Sequence, residues 1–210
     1  MRKMAQSRHL AYRGLALSCR SARPGSLRER PEMNTTTKGH VRPAGPDDAA
    51  QIATVHVRSW QAAYRGLLPQ DYLDQLDPTD RLKRWQDTVL GADWPRDGVI
   101  VAALDGKICG FAVFGPTRDT DGDPRRIGEI AAIYLLPAAW GKGIGRSLMA
   151  DALGYLAAAG YVQATLWALE SNARARRFYA KDGWVEDGAV KQDGSRGFPI
   201  AEVRYRRQLP

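Results

Sequence analysis

The chain has 210 residues, of which 44% are hydrophobic, so it can bury one core of ordinary domain size and carry an appendage. No apolar run approaches the length of a membrane span. Two cysteines, Cys19 and Cys109, are too few for a disulfide framework and fit no zinc-site spacing. We therefore expect a cytoplasmic protein in a reducing compartment, with no membrane partner and no metal.

The formal net charge of +8 comes almost entirely from the N-terminus. Residues 1–38 contain nine basic residues and two acids, a net charge of +7, which leaves +1 for residues 39–210. A nearly neutral body has no one-sign field that would imply nucleic acid as its main partner. We therefore expect no nucleic-acid partner for the folded part.

Residues 1–38 show no sustained hydrophobic periodicity, and we interpret them as a disordered, basic extension. An organelle transit peptide has this Arg- and Ser-rich composition, and so does a nucleic-acid-binding arm. We favour a third interpretation, a start codon assigned too early with Met33 as the true start, because the pattern of a folded domain begins just after that residue. The predicted domain then covers residues 39–210.

The first half of the domain combines short strands with amphipathic helices. Residues 40–42 predict a strand, and apolar residues at helical spacing predict a helix from residue 46 that Gly66 ends. A second amphipathic segment runs from Thr79 to about Val89. His56 lies on the apolar face of the first helix, where a hydrogen-bonded core histidine is more frequent than a catalytic one.

A hairpin and a polar loop follow. The apolar strands 99–104 and 108–114 flank Asp105-Gly106, which is a strong two-residue hairpin signal. Residues 117–126 are polar and contain glycine, so they predict a surface loop. Further on, residues 162–169 predict a strand, and residues 184–190 and 200–207 predict two final strands.

The stretch from Gly128 to Met149 predicts a strand, a glycine-rich loop and the start of a helix. Three glycines, at 141, 143 and 145, bring backbone N–H groups close to the unpaired N–H groups of a helix N-terminus, which is an arrangement that binds anions. The spacing fits neither a Walker A loop nor a dinucleotide fingerprint. By spacing alone, an ordinary strand-to-helix turn is an equal alternative to a phosphate site.

Four segments of the sequence resemble a known family. The acetyl-CoA-binding core of the bacterial-type GNAT superfamily of N-acetyltransferases resembles the segment EIAAIYLLPAAWGKGIGRSLM. The second cofactor segment of that superfamily resembles NARARRFYAKDGW. DGKICGF and WQAAYRGLLPQDYL resemble the strands and the helical region that precede the core. The resemblance spans about residues 39–208 and implies an α+β fold. It also implies a GNAT-like mixed, mostly antiparallel central sheet of about six to seven strands, flanked by helices.

The resemblance also implies where acetyl-CoA would bind as co-substrate. Backbone N–H groups from Gly141 to Arg146 would hold the pyrophosphate, although Trp140 stands where the family usually has Gln or Arg. The free edge of the strand at residues 133–135 would pair with the pantetheine arm. Arg174 and Arg177 are expected on a solvated helix face. The implied cofactor-binding residues are Ile133, Tyr134, Leu135, Gly141, Lys142, Gly143, Ile144, Gly145, Arg146, Asn172 and Tyr179.

Two residues are candidates for the proton transfers of acetyl transfer. Glu129 lies four residues before Ile133, so the strand period of two predicts that both side chains share one face, and burial among Ile and Ala would suit a base working near neutrality. It would act directly or through a water, although an ordinary acid at the start of a strand is an equal alternative. Tyr179 is the candidate acid for the departing thiolate, and packing as a core aromatic is its alternative.

We therefore predict direct transfer of an acetyl group from acetyl-CoA to a primary amine of a small molecule, protein or peptide. Trp60, Tyr64 and Tyr134 are candidates for the acceptor pocket, with packing alone as the alternative for each. A non-catalytic acyl-CoA-binding sensor or interaction module on the same fold is the alternative function. The sequence leaves a homodimer open.

Overall fold

The computed structural model describes residues 40–210. The predicted extension over 1–38, with its alternative start at Met33, lies outside these residues, so that domain boundary stays a prediction. Within residues 40–210, no helix is both long and apolar enough to cross a membrane.

Seven strands form one sheet in the order β1-β2-β3-β4-β5-β7-β6. Every neighbouring pair is antiparallel except β4 and β5, which are parallel. This architecture confirms the predicted α+β fold with a mostly antiparallel sheet. The strands are β1 (His40–Pro43), β2 (Gly98–Leu104), β3 (Lys107–Pro116), β4 (Ile127–Leu135), β5 (Gln163–Leu169), β6 (Val185–Asp193) and β7 (Ile200–Gln208).

Helices pack on both faces of the sheet, as expected for apolar stripes that need a partner surface. On one face, α4 buries the predicted stripe that begins at Ile144 and ends at Leu156. On the other face, α1 and α3 bury residues such as Ile52 and Trp85 against β2 and β3. The helices are α1 (Ala49–Ala63), α2 (Gln70–Asp74), α3 (Thr79–Leu90), α4 (Ile144–Ala158) and α5 (Ala173–Lys181).

The last hairpin is longer than the sequence predicted. The sequence predicted that the first of the two final strands ends at residue 190, but the polar residues 191–193 also pair with residues 200–202 of β7 and extend β6 to Asp193. Because β6 is an edge strand with solvent on most of its side chains, polar residues fit it as well as apolar ones.

A β-bulge in β4 changes which side chains share a face. Val113 of β3 pairs with Ala132, whereas Phe114 pairs with Ile130, so Ala131 is an extra residue on β4.

The bulge makes one sequence prediction wrong. Gly128 faces Leu156 of α4, so its neighbour Glu129 points to the opposite face, towards α1. Ile133 packs with the α4 side of the core and Tyr134 with the α1 side. Glu129 and Ile133 therefore do not share a face, because the extra residue between them reverses the alternation.

The parallel pairing of β4 with β5 is short. Only residues 127–129 of β4 pair with residues 163–165 of β5, after which the two strands separate. The edge of β4 from Ile130 to Leu135 is left without a strand partner on that side. This separation opens the space in which the candidate site lies.

Two glycines should respond in opposite ways to substitution by alanine. A Cβ at Gly128 would lie 2.7 Å from Cδ2 of the fully buried Leu156, so Gly128→Ala should destabilise the fold by about 1–3 kcal/mol. A Cβ at Gly154, inside α4, would meet no atom within 4 Å, so Gly154→Ala should stabilise the fold by about 0.5–1 kcal/mol. Urea unfolding of both variants checks this. A stable Gly128→Ala protein would contradict the tight contact between β4 and α4.

Candidate active site

A cavity of about 610 Å³ fills the gap between β4 and β5. Its walls include residues 130–135 of β4, 167–169 of β5 and the C-terminal end of α1, and its outer end is formed by the loop before α4 and the first turns of α5. The separation of the two strands thus creates a slot with one free strand edge, which can pair with an extended ligand.

The glycine-rich loop at the N-terminus of α4 is shaped for an anion. Gly141 and Gly143 have φ angles of 73° and 80°, a region that glycine adopts without the strain a Cβ would cause. Within the described residues, no hydrogen bond engages the backbone N–H groups of residues 141–145. Arg146 differs from the prediction, because its N–H donates to the carbonyl of Gly143 at 3.0 Å.

Basic side chains surround this end of the cavity. Arg146, Arg174 and Lys181 line it, whereas Lys142 is exposed outside the lining and the Ile144 side chain is buried in the core. None of the basic residues among them forms an ion pair with an acid in the part of the chain that the structure describes. The outer end therefore carries positive charge that an anionic ligand could neutralise.

Trp140 joins the two walls of the slot. Its indole N–H donates to the carbonyl of Leu135 at 3.0 Å, and the guanidinium of Arg174 lies 3.4 Å from the centre of its ring. Arg174 is exposed, as expected for a solvated helix face, but its side chain also stacks on Trp140 and lines the cavity. Arg177, one turn further along α5, does not line this cavity.

The start and middle of α5 place two predicted residues in the cavity. Asn172 caps the helix, with Oδ1 accepting from the N–H of Ala175 at 3.1 Å. Its amide NH₂ group stays available to a ligand. Tyr179 is 8% exposed, and burial raises the pKa of its hydroxyl. No described residue forms a hydrogen bond with this hydroxyl, so a protonated donor faces the slot.

Glu129 lies where β4 and β5 begin to separate, and its environment differs from the one expected. It is 3% exposed, but Arg118 binds it three times. The backbone N–H and Nε of Arg118 donate to Oε2 at 3.1 and 3.0 Å, and Nη2 donates to Oε1. The sequence predicted a carboxylate among apolar neighbours, whereas the guanidinium neutralises it and fixes its orientation.

The loop that carries Arg118 is anchored to the sheet. Trp167 of β5 donates to Oδ1 of Asp119 at 2.9 Å, and the buried guanidinium of Arg204 binds Asp119, Asp121 and Asp187 at 2.7–3.0 Å. Arg204 lowers the pKa of Asp121 to about 2. The predicted surface loop at residues 117–126 is therefore a fixed support for Glu129, because ion pairs replace apolar contacts in holding it.

Aromatic residues form the side of the cavity nearest α1. Tyr64 and Tyr134 line it, and burial raises the pKa of both hydroxyls. Trp60 does not line the cavity but packs behind them, with ring centres 4.9 Å from Tyr64 and 6.2 Å from Tyr134. His56 stacks on Tyr134 at 5.4 Å. Packing alone, the alternative given for Trp60, fits its position.

His56 is half-buried and packs among aromatic rings on the predicted core side of α1, but it is not fully hydrogen-bonded. Its Nδ1 is buried and has no partner among the described residues. Burial, with a contribution from Arg81 and Arg84, lowers the pKa of His56 to about 4, so the ring is neutral near pH 7.

The cavity thus collects most of the predicted residues and adds several that the sequence did not suggest. The added ones are Ser59, Trp140, Trp167, Arg174 and Lys181 in the lining, and Arg118 behind Glu129. The charged composition of residues 117–126 was a signal for Arg118, but its partner lies eleven positions away across a strand edge. The predicted cofactor residues in the lining are Ile133, Tyr134, Leu135, Gly141, Gly143, Gly145, Arg146, Asn172 and Tyr179.

The pattern of the acetyltransferase (GNAT) family matches residues 59–184, more than half of the chain. The chain belongs to this family. A relative in the family is the uncharacterised N-acetyltransferase YuaI of Bacillus subtilis (strain 168), which is 37% identical over 134 residues, or 63% of this chain and 72% of YuaI. The predicted membership of the GNAT acetyltransferase family is thereby confirmed.

Solved structures agree with the GNAT fold. The PaiA N-acetyltransferase from Thermoplasma acidophilum, in complex with coenzyme A, superimposes with a TM-score of 0.62 at 19% identity, covering 81% of this chain and 99% of that one. YncA from Salmonella typhimurium, with its cofactor acetyl-CoA, superimposes with a TM-score of 0.62 at 23% identity, covering 83% of this chain and 95% of YncA. These identities show a shared fold, while the bound cofactors belong to those two proteins.

Proposed function

We propose that this GNAT acetyltransferase moves the acetyl group of acetyl-CoA to a primary amine of a small molecule, protein or peptide by direct attack. The observation that carries the proposal is the slot between β4 and β5. The glycine-rich loop and Tyr179 line this slot, and the Arg118–Glu129 pair lies just outside the lining, where β4 and β5 begin to separate.

The residues of the slot fit coenzyme A as the donor. Its pyrophosphate matches the free N–H groups of residues 141–145 and the unpaired charge of Arg146. Its pantetheine arm matches the free edge of β4 and the amide of Asn172. A cavity of about 610 Å³ lies within the range found for ligands of this size.

In the proposed reaction the amine nitrogen attacks the thioester carbonyl carbon, and the C–S bond breaks to release the thiolate of coenzyme A. An N–H on the free edge of β4 polarises the carbonyl oxygen. The remaining acceleration comes from holding amine and thioester in line within the slot. No acyl-enzyme forms, so one chemical step produces the amide.

Glu129 is proposed to take the amine proton through a water. Three of about four lone-pair positions on its carboxylate already accept from Arg118, which leaves one for a water in the slot. A relayed proton fits the position of Glu129, since its side chain lies outside the cavity lining, where β4 and β5 begin to separate.

Tyr179 is proposed to supply a proton to the departing thiolate. Its hydroxyl is protonated, faces the slot and has no competing partner among the described residues. Tyr64, Tyr134 and Trp167 form the side where the acceptor would enter. This pocket is aromatic, so we propose Tyr64 and Tyr134 as contacts for the carbon skeleton beside the amine.

Two measurements test the function. Calorimetry with acetyl-CoA should give saturable binding, and absence of binding at millimolar cofactor would contradict the proposal. A panel of small amines, amino acids, amine-bearing antibiotics and peptide N-termini should then release free coenzyme A with at least one acceptor. Binding without transfer to any amine would favour the non-catalytic acyl-CoA sensor.

A further inference from the structure

The stack of Arg174 on Trp140 spans the outer end of the slot. Trp140 follows β4 and Arg174 opens α5 after β5, so the contact joins the two walls that the strand separation creates. Both residues line the cavity. The Trp140 N–H bond to Leu135 fixes the ring that supports the guanidinium.

The guanidinium of Arg174 is held but not neutralised. Its face lies 3.4 Å from the centre of the Trp140 ring, and it has no ion pair or hydrogen bond with any described residue. A stacked arginine keeps its planar edge of N–H donors free, and that edge matches the geometry of a phosphate. Burial and the nearby Arg177 lower the pKa of Arg174, as expected where positive charge lacks a counter-charge.

Arg174 and the glycine loop face the same space from opposite walls. The free N–H groups of residues 141–145 come from the β4 side, and Arg174 reaches the lining from the α5 side. A ligand that places phosphate between them would be held from both sides.

We propose that Arg174, supported by Trp140, binds a phosphate in the nucleotide half of coenzyme A and makes the site selective for the whole cofactor over its shorter precursors. This inference rests on the proposed use of acetyl-CoA. In this inference, Arg174 supplies the positive charge at the phosphate that Trp140, in its position in the glycine-rich loop, does not provide.

Calorimetry on the full chain tests the inference with coenzyme A, dephospho-coenzyme A and phosphopantetheine. Arg174→Gln should weaken coenzyme A binding by about ten- to a hundredfold, as expected for a lost charge-assisted hydrogen bond. Its affinity for phosphopantetheine, which has no nucleotide, should match that of the wild type. Arg174→Lys should lose affinity as well, because lysine neither stacks as a plane nor binds phosphate through two donors.

Arg177→Gln is the matched control, since it removes the same charge from the same helix outside the cavity lining. It should change coenzyme A binding by less than about threefold, the scale of an exposed charge. If Arg174→Gln binds dephospho-coenzyme A as the wild type does, the ribose phosphate is the group bound. If it loses affinity for that ligand too, the nucleotide-side phosphate of the diphosphate is the group, because phosphopantetheine retains only the pantetheine-side phosphate.

Three results would overturn the inference: wild-type affinity of Arg174→Gln for coenzyme A, an equal loss in Arg177→Gln, or an equal loss for phosphopantetheine. Failure of the proposed function looks different, because the wild-type chain would then bind none of the three ligands. Arg174 and Arg177 are both exposed, so neither substitution removes a core contact.

Discussion

Replacing Tyr179 with phenylalanine will lower turnover by about a hundredfold, the scale of one lost general acid, while leaving the affinity for acetyl-CoA almost unchanged. The ring stays packed between Phe178 and Tyr205, so the slot keeps its shape. Only the hydroxyl is lost, and no described residue depends on it. Steady-state release of coenzyme A, with calorimetry of acetyl-CoA alongside, measures the two quantities separately.

Tyr205→Phe provides the matched control. Its ring centre lies 5.7 Å from that of Tyr179, but its hydroxyl donates to Glu186 at 2.6 Å and accepts from Arg176 at 3.2 Å. This variant should lose about 1 kcal/mol of stability to unfolding and keep its turnover. Unchanged turnover in Tyr179→Phe would reject the acid role, and an equal loss in Tyr205→Phe would assign the effect to packing.

The proposed cofactor half of the site could be predicted from local sequence. A run of apolar residues ended by Pro137, followed by three glycines and a helical stripe, specifies a strand, a loop and a helix through backbone preferences alone. The structure has these elements in the predicted places, and residues 141–145 present free N–H groups as expected. Local rules were sufficient because each part of this site lies within one short segment.

The proposed catalytic half depends on contacts between distant segments, which local sequence rules do not contain. Ala131 is an extra residue in β4 only because of how β3 pairs with it, and that pairing turns Glu129 away from Ile133. The sequence shows Arg118 only as one charge in a polar loop, because Arg204, which holds that loop in place through Asp119 and Asp121, lies far along the chain. Arg174 likewise had the pattern of a solvated helix residue, and the Trp140 ring that supports it comes from another segment.

Glu129→Gln should remove the acid-side limb of the pH profile of kcat/KM and lower turnover near neutrality by about a hundredfold, the lower range for a lost general base. Glutamine retains the size of the side chain but cannot take a proton in this pH range. The side chain of Arg118 is 68% exposed, so water can solvate its charge once the carboxylate is gone. Affinity for acetyl-CoA should therefore stay close to that of the wild type.

Asp123→Asn is the control for this variant, because it removes a carboxylate from the same loop whose partner is the exposed Arg125. Its pH profile should match that of the wild type.

If Glu129→Gln also keeps the wild-type profile, the limb belongs to the amine substrate, and Glu129 serves only to anchor Arg118. If it loses the limb, proton transfer depends on a carboxylate that three hydrogen bonds hold at the point where β4 and β5 separate. The bulge at Ala131 would then serve catalysis, since it lets β4 direct Glu129 to one face and still present Ile133 and Leu135 on the other.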